Sequence, residues 1–559
     1  MKLRNIFASL LAICAISSCS SFLDVTPPNS ITDEQIKDLM ENGSDATKEK
    51  IMTAIAAPMI QYLNYINVNG VGSSDPSKHS FQGLEWMRSL MGNDVVLGYN
   101  TAKLNPLVGS SLYQFNYDFT TSDADANAAN WFGYAYGVNQ GNLLLSYMTE
   151  EAAKGNNLYK DGRARGLIVR AYSYLCLMEN YGLPYLRGGQ SGPGMSIYTV
   201  YDPGQSPVAR SSAKETYDFI IKDLKEASSL IKEAGIGCTA ENLEDFDLGV
   251  ANFLLARAAL QVGDYETAKT ACEEIIATKA YSFIPEKYYG GRITGDINHR
   301  NADNARDDIN VLPQTNAFVD VQINTECILG FTLKSTYRGT NHHVVMANPF
   351  SSYAAAGSTA RIDQRLYDKI DDNDFRKDAF YPETLGDVLF PGSTETINYV
   401  PSYINLKFAA TEGLAQDGKS STGRGKVGDS EVCRFRLSEV YLMLAEAQLG
   451  LGNESGAKST LNTLLAARTR TGAPTLTCDN YSSMKDLSTK EKIQLQWRIE
   501  MWGEGGREFF NNKRWGVNVD RTSSPTHISS VKTWSCDKMT LELPQRELED
   551  NPLTEKTFK

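Results

Sequence analysis

The sequence predicts a mainly α-helical protein with minor β structure, in which paired helices form a scaffold that one long irregular segment interrupts. Apolar residues recur at three- and four-residue spacing before residue 281 and again after residue 432, as in helices that bury one face. Between these limits Gly, Asn, Asp, Ser and Thr dominate and apolar runs are short. With 42% hydrophobic and 22% charged residues among 559, the chain has the composition of a folded globular protein.

The first 18 residues have the pattern of a lipoprotein export signal. Lys2 and Arg4 precede an apolar stretch of eleven residues, Ile6 to Ile16. A membrane-spanning helix needs about 20 such residues, so this stretch is typical of a signal peptide instead. It runs into Ser-Ser-Cys, which resembles the bacterial lipobox, whose cysteine is acylated and becomes the N-terminus. We therefore expect a signal peptide at 1–18 and a lipid anchor at Cys19.

Helices account for most of the first half of the chain. Two apolar-periodic stretches, Ala126 to Met148 and Gly162 to Tyr181, predict the first helical pair. Ser212-Ala213-Lys214-Glu215 is a capping box, in which the Ser and Glu side chains satisfy free N–H groups at a helix start. The helix that begins there is expected to end near Gly235.

Two hairpins of helices resemble the tetratricopeptide motif. In the first, small and apolar residues follow one face from Ala251 to Val262, Gly263-Asp264-Tyr265 turns the chain, and Ala268 to Ile276 forms the returning helix. In the second, Arg436 to Leu449 is followed by the turn Gly450-Leu451-Gly452-Asn453 and another helix. Alanines at the contact let paired helices approach closely, which predicts stacked helical hairpins.

Residues 281–431 are expected to form mainly loops, with Glu326 to Leu333 as the one clear strand. So long an irregular segment within a compact protein is usually either disordered or functional. The aromatic residues scattered through it favour a functional role, because binding residues are often carried on loops that a rigid scaffold positions.

The charge balance and the cysteine and histidine positions exclude several classes of function. Lys and Arg number 55 against 67 acidic residues, a net charge of −12 without a basic run, which disfavours nucleic acid binding. The cysteines form no CxxC pair, which disfavours a zinc site or a disulfide framework, while a single bridge such as Cys478–Cys536 stays open. None of the five histidines has metal-ligand spacing, so a zinc enzyme is disfavoured.

Three motifs imitate ligand sites without their context. Residues 413–420 satisfy the P-loop pattern, but a Gly-rich stretch follows where the phosphate-binding helix would have to begin. Asp123, Asp125 and Asn127 begin like a calcium loop, but the positions of its glycine and glutamate are Ala128 and Tyr134, so a helix start is favoured. We expect no cofactor, although an adventitious or structural Ca²⁺ at the acidic turn 371–374 stays open.

Motifs along nearly the whole chain resemble the SusD/RagB family of outer-membrane lipoproteins from Bacteroidetes. The matching segments are Trp131 to Leu144, Tyr181-Gly182-Leu183-Pro184, Arg436 to Ala447, Arg498-x-Glu500, Glu504-Gly505-x-Arg507 and Arg514-Trp515-Gly516. The chain departs from the family at Gln496-Trp497, where Glu-Arg is usual, and by one extra residue between Arg507 and Arg514.

The resemblance implies one SusD-like domain over 19–559. Its tetratricopeptide-like scaffold would cover approximately 35–280 and 432–516, its loop-rich ligand lobe 281–431, and its C-terminal tail 517–559. Family members are not enzymes. They sit at the exterior face of the outer membrane and deliver a nutrient, most often a glycan and in some cases a peptide or another compound, to a SusC-like TonB-dependent transporter.

A sugar site needs flat aromatic faces and a few polar side chains. Family members place it in two regions, near the first hundred residues and in the loops after the central helical pair. Here the candidates are Trp86, Arg88, Asn93, Asp94, Tyr99, Asn100, Tyr288, Tyr289, Arg292, Tyr337, Arg338, Asn341, His342, His343, Phe350 and Tyr353. Trp86 is the first choice because polar residues flank it; Trp131, Trp497, Trp502 and Trp515 lie in structural motifs and are expected in the core.

Two other functions compete with nutrient binding. A surface glycan hydrolase would need a catalytic carboxylate with a shifted pKa in a cleft. A helical-repeat adaptor that binds only proteins would arrange Trp86 and the loop aromatics as a flat apolar patch. Release of reducing ends from glycans would indicate the hydrolase, and absence of any small ligand would indicate the adaptor.

Overall fold

The computed structural model describes residues 33–52, 54, 81–97, 120–202, 204–239, 242–312, 316–331, 360–389, 397–409, 431–527 and 532–554. The export signal, the expected lipid anchor at Cys19 and the P-loop-like stretch 413–420 lie outside these residues, as do all the candidate ligand residues after 332. None of the helices in the described part of the chain is long and apolar enough to cross a membrane.

Helices dominate the structure, as the sequence predicts. Their bounds are α1 Asp33–Asn42, α2 Phe81–Leu90, α3 Asp125–Tyr147, α4 Glu150–Ala153, α5 Asn157–Tyr181, α6 Ala213–Glu233, α7 Leu248–Val262, α8 Tyr265–Ala277, α9 Gln364–Tyr367, α10 Leu437–Gly450, α11 Glu454–Ala467, α12 Thr489–Glu500, α13 Arg507–Trp515 and α14 Gln545–Asp550.

The helix starts and turns follow the local signals. Ser212 and Glu215 form the expected capping box at the start of α6. At the turn between α7 and α8, Gly263 has the positive φ of 77° that glycine tolerates, and the Asp264 side chain accepts the N–H of Thr267. Asn453 caps α11 in the same way, so both predicted hairpins are confirmed.

The first helical pair, α3 and α5, packs through small residues. A Cβ placed on Gly141 would lie 2.8 Å from Cβ of Arg170 and 2.9 Å from its backbone nitrogen. Because those atoms belong to the facing helix, only glycine permits this spacing. The helix at Asp125 is also confirmed, and the Asn127 amide donates to the carbonyls of Thr121 and Glu542.

Short strands are more numerous than the single strand expected in the loop-rich region. They are β1 Val95–Leu97, β2 Arg292–Thr294, β3 Asn310–Leu312, β4 Cys327–Phe331, β5 Ala360–Ile362, β6 Phe380–Tyr381, β7 Gly386–Val388, β8 Ile397–Val400, β9 Ile404–Asn405, β10 Val432–Arg436, β11 Val519–Asp520 and β12 Thr533–Trp534. Four form an antiparallel sheet in the order β1-β5-β9-β6, and β4 pairs with β10. Strands of two to five residues show too little alternation to be read from sequence.

A network of buried ions joins the loop-rich region to the helices. Glu500, at the end of α12, accepts from Arg376 at 2.7 Å, from Arg436 at 2.6 Å and from Arg468 at 2.9 Å. Glu326 pairs with Arg436 and Arg468, and all five side chains are buried. Each ion therefore has an opposite charge where water is excluded, which is the condition under which a buried charge is tolerated.

The remaining motifs have structural partners. The seven described cysteines are free thiols in this structure, Cys478 and Cys536 among them. In the acidic turn, the Asp371 carboxylate accepts the N–H groups of Asn373 and Ser482, and Asp374 pairs with Arg376. Across the described residues, no three Cys, His, Asp or Glu side chains are grouped as metal ligands.

Candidate ligand-binding site

The first group of candidate residues lies on α2, on the turn after it and on β1. Arg88 is 1% exposed, and its guanidinium donates to the side-chain oxygens of Asn130 and Asn180, both at 2.7 Å. Asp94 is 2% exposed and accepts from Nε of Arg498 at 2.8 Å. In this structure both side chains fix α2 and its turn to the helical scaffold, so a ligand contact from either one stays a prediction.

The turn Gly92–Asp94 is held by side chains from the C-terminal part of the chain. The Glu508 carboxylate accepts the N–H groups of Asn93 at 2.5 Å and of Asp94 at 3.0 Å. A Cβ at Gly92 would overlap that carboxylate, so the approach requires glycine. Arg521 donates to the Gly92 carbonyl at 2.6 Å.

Two further side chains hold the same turn, and together with Glu508 and Arg521 they form what we call the clamp. His527 Nε2 lies 2.8 Å from the Asn93 carbonyl, and the Trp502 indole donates to the Asp94 carbonyl at 2.9 Å. Burial lowers the pKa of His527 to about 4, so at neutral pH the ring is uncharged. Because a carbonyl can only accept, the proton of the neutral ring lies on Nε2. The backbone path from α2 into β1 is thereby fixed by Glu508, Arg521, His527 and Trp502 together.

Glu508 is the member of the clamp whose pKa lies near neutral pH. Burial raises its pKa to about 7, the Asp94 carboxylate adds to the increase, and Arg498 and the two backbone N–H donors oppose it. A carboxyl whose pKa is higher in the folded than in the unfolded chain stabilises the fold at low pH, and this contribution is lost as the pH rises through the folded pKa.

We expect Glu508→Gln to become more favourable, relative to the unmodified protein, as the pH rises. Between pH 5 and 7 the unmodified protein should lose about 2 kcal/mol of unfolding free energy relative to the variant, because glutamine does not ionise. Urea unfolding at several pH values measures it. Glu549→Gln, on the exposed face of α14, is the control, and a pH-independent difference at Glu508 would contradict the assignment.

Strand pairing places the end of β1 beside the start of β5. β1 and β5 are antiparallel, with Val95 opposite Ile362 and Leu97 opposite Ala360. The chain that leaves β1 towards Tyr99 and Asn100 therefore starts at the same end of the sheet as the chain that enters β5 from Tyr353. Paired strands lie about 5 Å apart, so the two segments begin side by side. Tyr99, Asn100 and the candidates from Tyr337 to Tyr353 themselves lie outside the described residues, as does the Trp86 side chain.

The candidates Tyr288, Tyr289 and Arg292 lie away from β1. The Gly291 N–H donates to the Leu406 carbonyl just after β9, and β2 contacts β6. In the order β1-β5-β9-β6 these strands are two and three places from β1, about 10–14 Å. The structure therefore does not place Tyr288, Tyr289 and Arg292 beside β1.

Tyr289 belongs to the core. It is 5% exposed, its ring lies 4.8 Å from that of Phe318, and the Arg468 guanidinium lies 5.0 Å from the ring centre. Burial raises the pKa of its hydroxyl. Tyr288 is half-buried beside Lys287, and Arg292 is half-buried at the start of β2. A ligand contact from these three residues stays a prediction.

The clamp is the part of the site that sequence reasoning missed. Its residues lie more than 400 positions from the turn, so no local period or spacing links them. Trp131, Trp497 and Trp502 are buried as predicted, and Trp515 packs half-buried against the core.

Comparison with known families agrees with this architecture. A model of the SusD family matches residues 335–554, and a model described as starch-binding, associating with the outer membrane, matches residues 95–235. Together they span more than half of the chain. The chain belongs to the SusD family. The mainly α-helical SusD-like fold expected from the sequence is thus confirmed, with β structure confined to short strands.

Solved structures share the SusD fold at low sequence identity. A SusD superfamily protein from Bacteroides thetaiotaomicron VPI-5482 is 17% identical with a TM-score of 0.64, over 91% of this chain and 100% of that chain. A putative sugar binding protein from Bacteroides vulgatus ATCC 8482 is 20% identical with a TM-score of 0.62, over 91% and 98%. Surface glycan-binding protein A from Bacteroides thetaiotaomicron, in complex with laminarihexaose, is 16% identical with a TM-score of 0.58, over 89% and 97%. No curated protein sequence gives a significant match.

Proposed function

We propose that this SusD-family protein binds a glycan at the outer face of the outer membrane and passes it to a SusC-like TonB-dependent transporter without chemical change. Lipidation at Cys19 would hold it to the membrane. The family model described as starch-binding and associating with the outer membrane supports the first part, and the laminarihexaose complex of a relative with the same fold is consistent with it.

The observation that carries the proposal is the pairing of β1 with β5. In this pairing the last residue of β1, Leu97, lies opposite the first residue of β5, Ala360. The sequences that follow β1 and precede β5 are rich in aromatic and amide residues, and the clamp fixes the turn Gly92–Asp94 that leads into β1. A sugar binds through apolar C–H faces stacked on rings and through hydroxyl groups bonded to polar side chains. We propose that Trp86, Tyr99, Asn100 and the candidates from Tyr337 to Tyr353 supply these rings and polar groups.

The carboxyl with the clearest shift towards neutral pH supports binding rather than hydrolysis. Glu508 is half-buried, and both of its oxygens accept backbone N–H groups. A glycosidase acid must instead reach a substrate oxygen and work with a second carboxyl. Incubation of the purified protein with soluble glycans should release no reducing ends; release would favour the hydrolase.

We expect Trp86→Ala to weaken glycan binding by about tenfold, corresponding to loss of one stacking ring at about 1.4 kcal/mol. Calorimetry against a panel of gluco-, xylo-, manno- and malto-oligosaccharides, with peptides as a separate arm, measures it. Tyr441→Ala, on the scaffold helix α10, is the matched aromatic control and should leave affinity unchanged. Unchanged affinity in the Trp86 variant would remove this residue from the site.

Association with the transporter and membrane is tested separately. The protein with its own leader should co-purify from outer membranes with a large TonB-dependent barrel, and Cys19→Ala should release it into the soluble fraction. If the protein binds glycans but is isolated without a barrel, the binding function stands and the delivery step is contradicted. A chain that isolates with the barrel but binds neither glycans nor peptides would favour the adaptor.

A further inference from the structure

Two cysteines meet on the strand pair at the base of the loop-rich region. Cys327 begins β4, and Cys433 is the second residue of β10. In the antiparallel ladder Cys433 lies opposite Gly330 and Cys327 lies opposite Arg436, and the register shifts between Cys433 and Phe435 and again between Phe435 and Arg436. Such irregularities bend the bulged strand and increase its local twist.

Gly330 provides the space in which the thiols meet. A Cβ on Gly330 would lie 2.7 Å from Sγ of Cys327, so the Cys327 thiol occupies the volume where a side chain of residue 330 would stand. Directly opposed residues of an antiparallel pair share one face of the sheet, with Cβ atoms about 5 Å apart. The Cys327 thiol therefore lies on the side of Gly330 that faces Cys433, while the Cys433 thiol donates to the Phe435 carbonyl at 3.6 Å.

We propose that Cys327 and Cys433 form a disulfide when the chain folds in the oxidising compartment to which its leader would send it. The two thiols lose two protons and two electrons and form one S–S bond. A disulfide oxidant, such as oxidised glutathione or a disulfide oxidoreductase, accepts the electrons and becomes two thiols. Exchange passes through one mixed disulfide, so the second cysteine must stand beside the first, as it does here.

The burial of the pair determines when oxidation occurs. Cys327 is 1% exposed and Cys433 is half-buried. The hydrogen bond to Cys327, together with burial, raises the pKa of the Cys433 thiol far above neutrality, so little of the reactive thiolate exists in the folded protein. We therefore expect the bond to form during folding, while an oxidant can still reach the strands, and expect the folded reduced protein to oxidise slowly.

The bond would link the two ends of the segment that runs from β4 to β10. β4 leads into the segment with the candidates from Tyr337 to Tyr353, and β10 follows residues 410–430 and leads into α10. A cross-link that closes about 100 residues restricts the unfolded chain and so stabilises the fold. This inference does not rest on the proposed function, since the bond can form whether or not a glycan binds.

Refolding in a redox buffer tests the proposal. The full chain is unfolded in guanidinium with reductant, refolded in a mixture of reduced and oxidised glutathione, alkylated, and digested without reductant. Mass spectrometry should find one peptide that joins Cys327 to Cys433, about 2 Da below the sum of the two reduced peptides because two hydrogens are lost. The midpoint of thermal unfolding should fall when reductant is added.

Variants and a native sample serve as controls. Cys433→Ala should lose the linked peptide and the reductant-dependent shift, whereas Cys272→Ala, with its thiol buried in α8, should keep both. The exported chain, alkylated at lysis, gives a second measurement that needs no refolding. The proposal fails if Cys327 and Cys433 are alkylated in both samples, or if either one is joined to a different cysteine.

Discussion

Glu500→Gln should lower the unfolding free energy by about 3–5 kcal/mol, the usual cost of removing one partner from a buried ion pair. The Glu500 carboxylate accepts from Arg376, Arg436 and Arg468, and its side chain is fully buried. Glutamine has nearly the same shape but no charge. Three buried guanidinium groups would then share fewer anions, and water cannot reach them to compensate.

Urea unfolding followed by circular dichroism measures this change. Glu446→Gln is the matched control because its carboxylate pairs with Arg514 at a half-buried position, where water can compensate part of the lost charge and the cost should be smaller. If the Glu500 variant does not fold, Glu504→Gln provides a second test, since that carboxylate pairs with Lys407 and Arg436 in the same network. An equal loss of unfolding free energy in the Glu500 and Glu446 variants would contradict a larger contribution from the buried network.

Acid should unfold the protein steeply below about pH 4.5. Burial alone would raise the pKa of Glu326, Glu500 and Glu504, but the neighbouring arginines, with Lys407 at Glu504, outweigh it and hold each pKa below its ordinary value. A carboxyl with a lower pKa in the folded chain contributes stability above its unfolded pKa, and this contribution is lost as the pH falls.

Each such carboxyl adds a slope of at most about 1.4 kcal/mol per pH unit in the range between its two pKa values. Unfolding free energies from urea titrations between pH 3 and 6 should therefore fall with acid, and Glu500→Gln should reduce the slope by about one proton. A flat profile in this range would contradict the charged state of the network. Glu508 acts in the opposite direction and at higher pH, so the two contributions separate along the pH axis.

The sequence predicts the parts of this fold whose causes are local. Ser212, Asp264 and Asn453 cap helices within four residues of themselves, and the apolar period marks the buried face of each helix. Membership of the family could also be read from motifs. Both kinds of signal lie in short stretches of chain, so one sequence is enough to find them.

The long-range polar contacts could not be predicted in this way. Arg88 and Asp94 have the composition of a ligand site, but their partners Asn130, Asn180 and Arg498 are distant in sequence and place them in the interior. The same distance hides Glu508 and Arg521. A polar residue in a sequence carries no sign of whether its partner is a sugar or another part of the same chain.

The clamp on Gly92–Asp94 also sets an order of assembly. Its side chains come from residues 502–527, near the end of the chain, whereas the turn that they hold lies before residue 95. A polypeptide released early from the ribosome would lack them, and the backbone entering β1 would have no fixed path. The turn can therefore take up these contacts only after residues 502–527 have been synthesised.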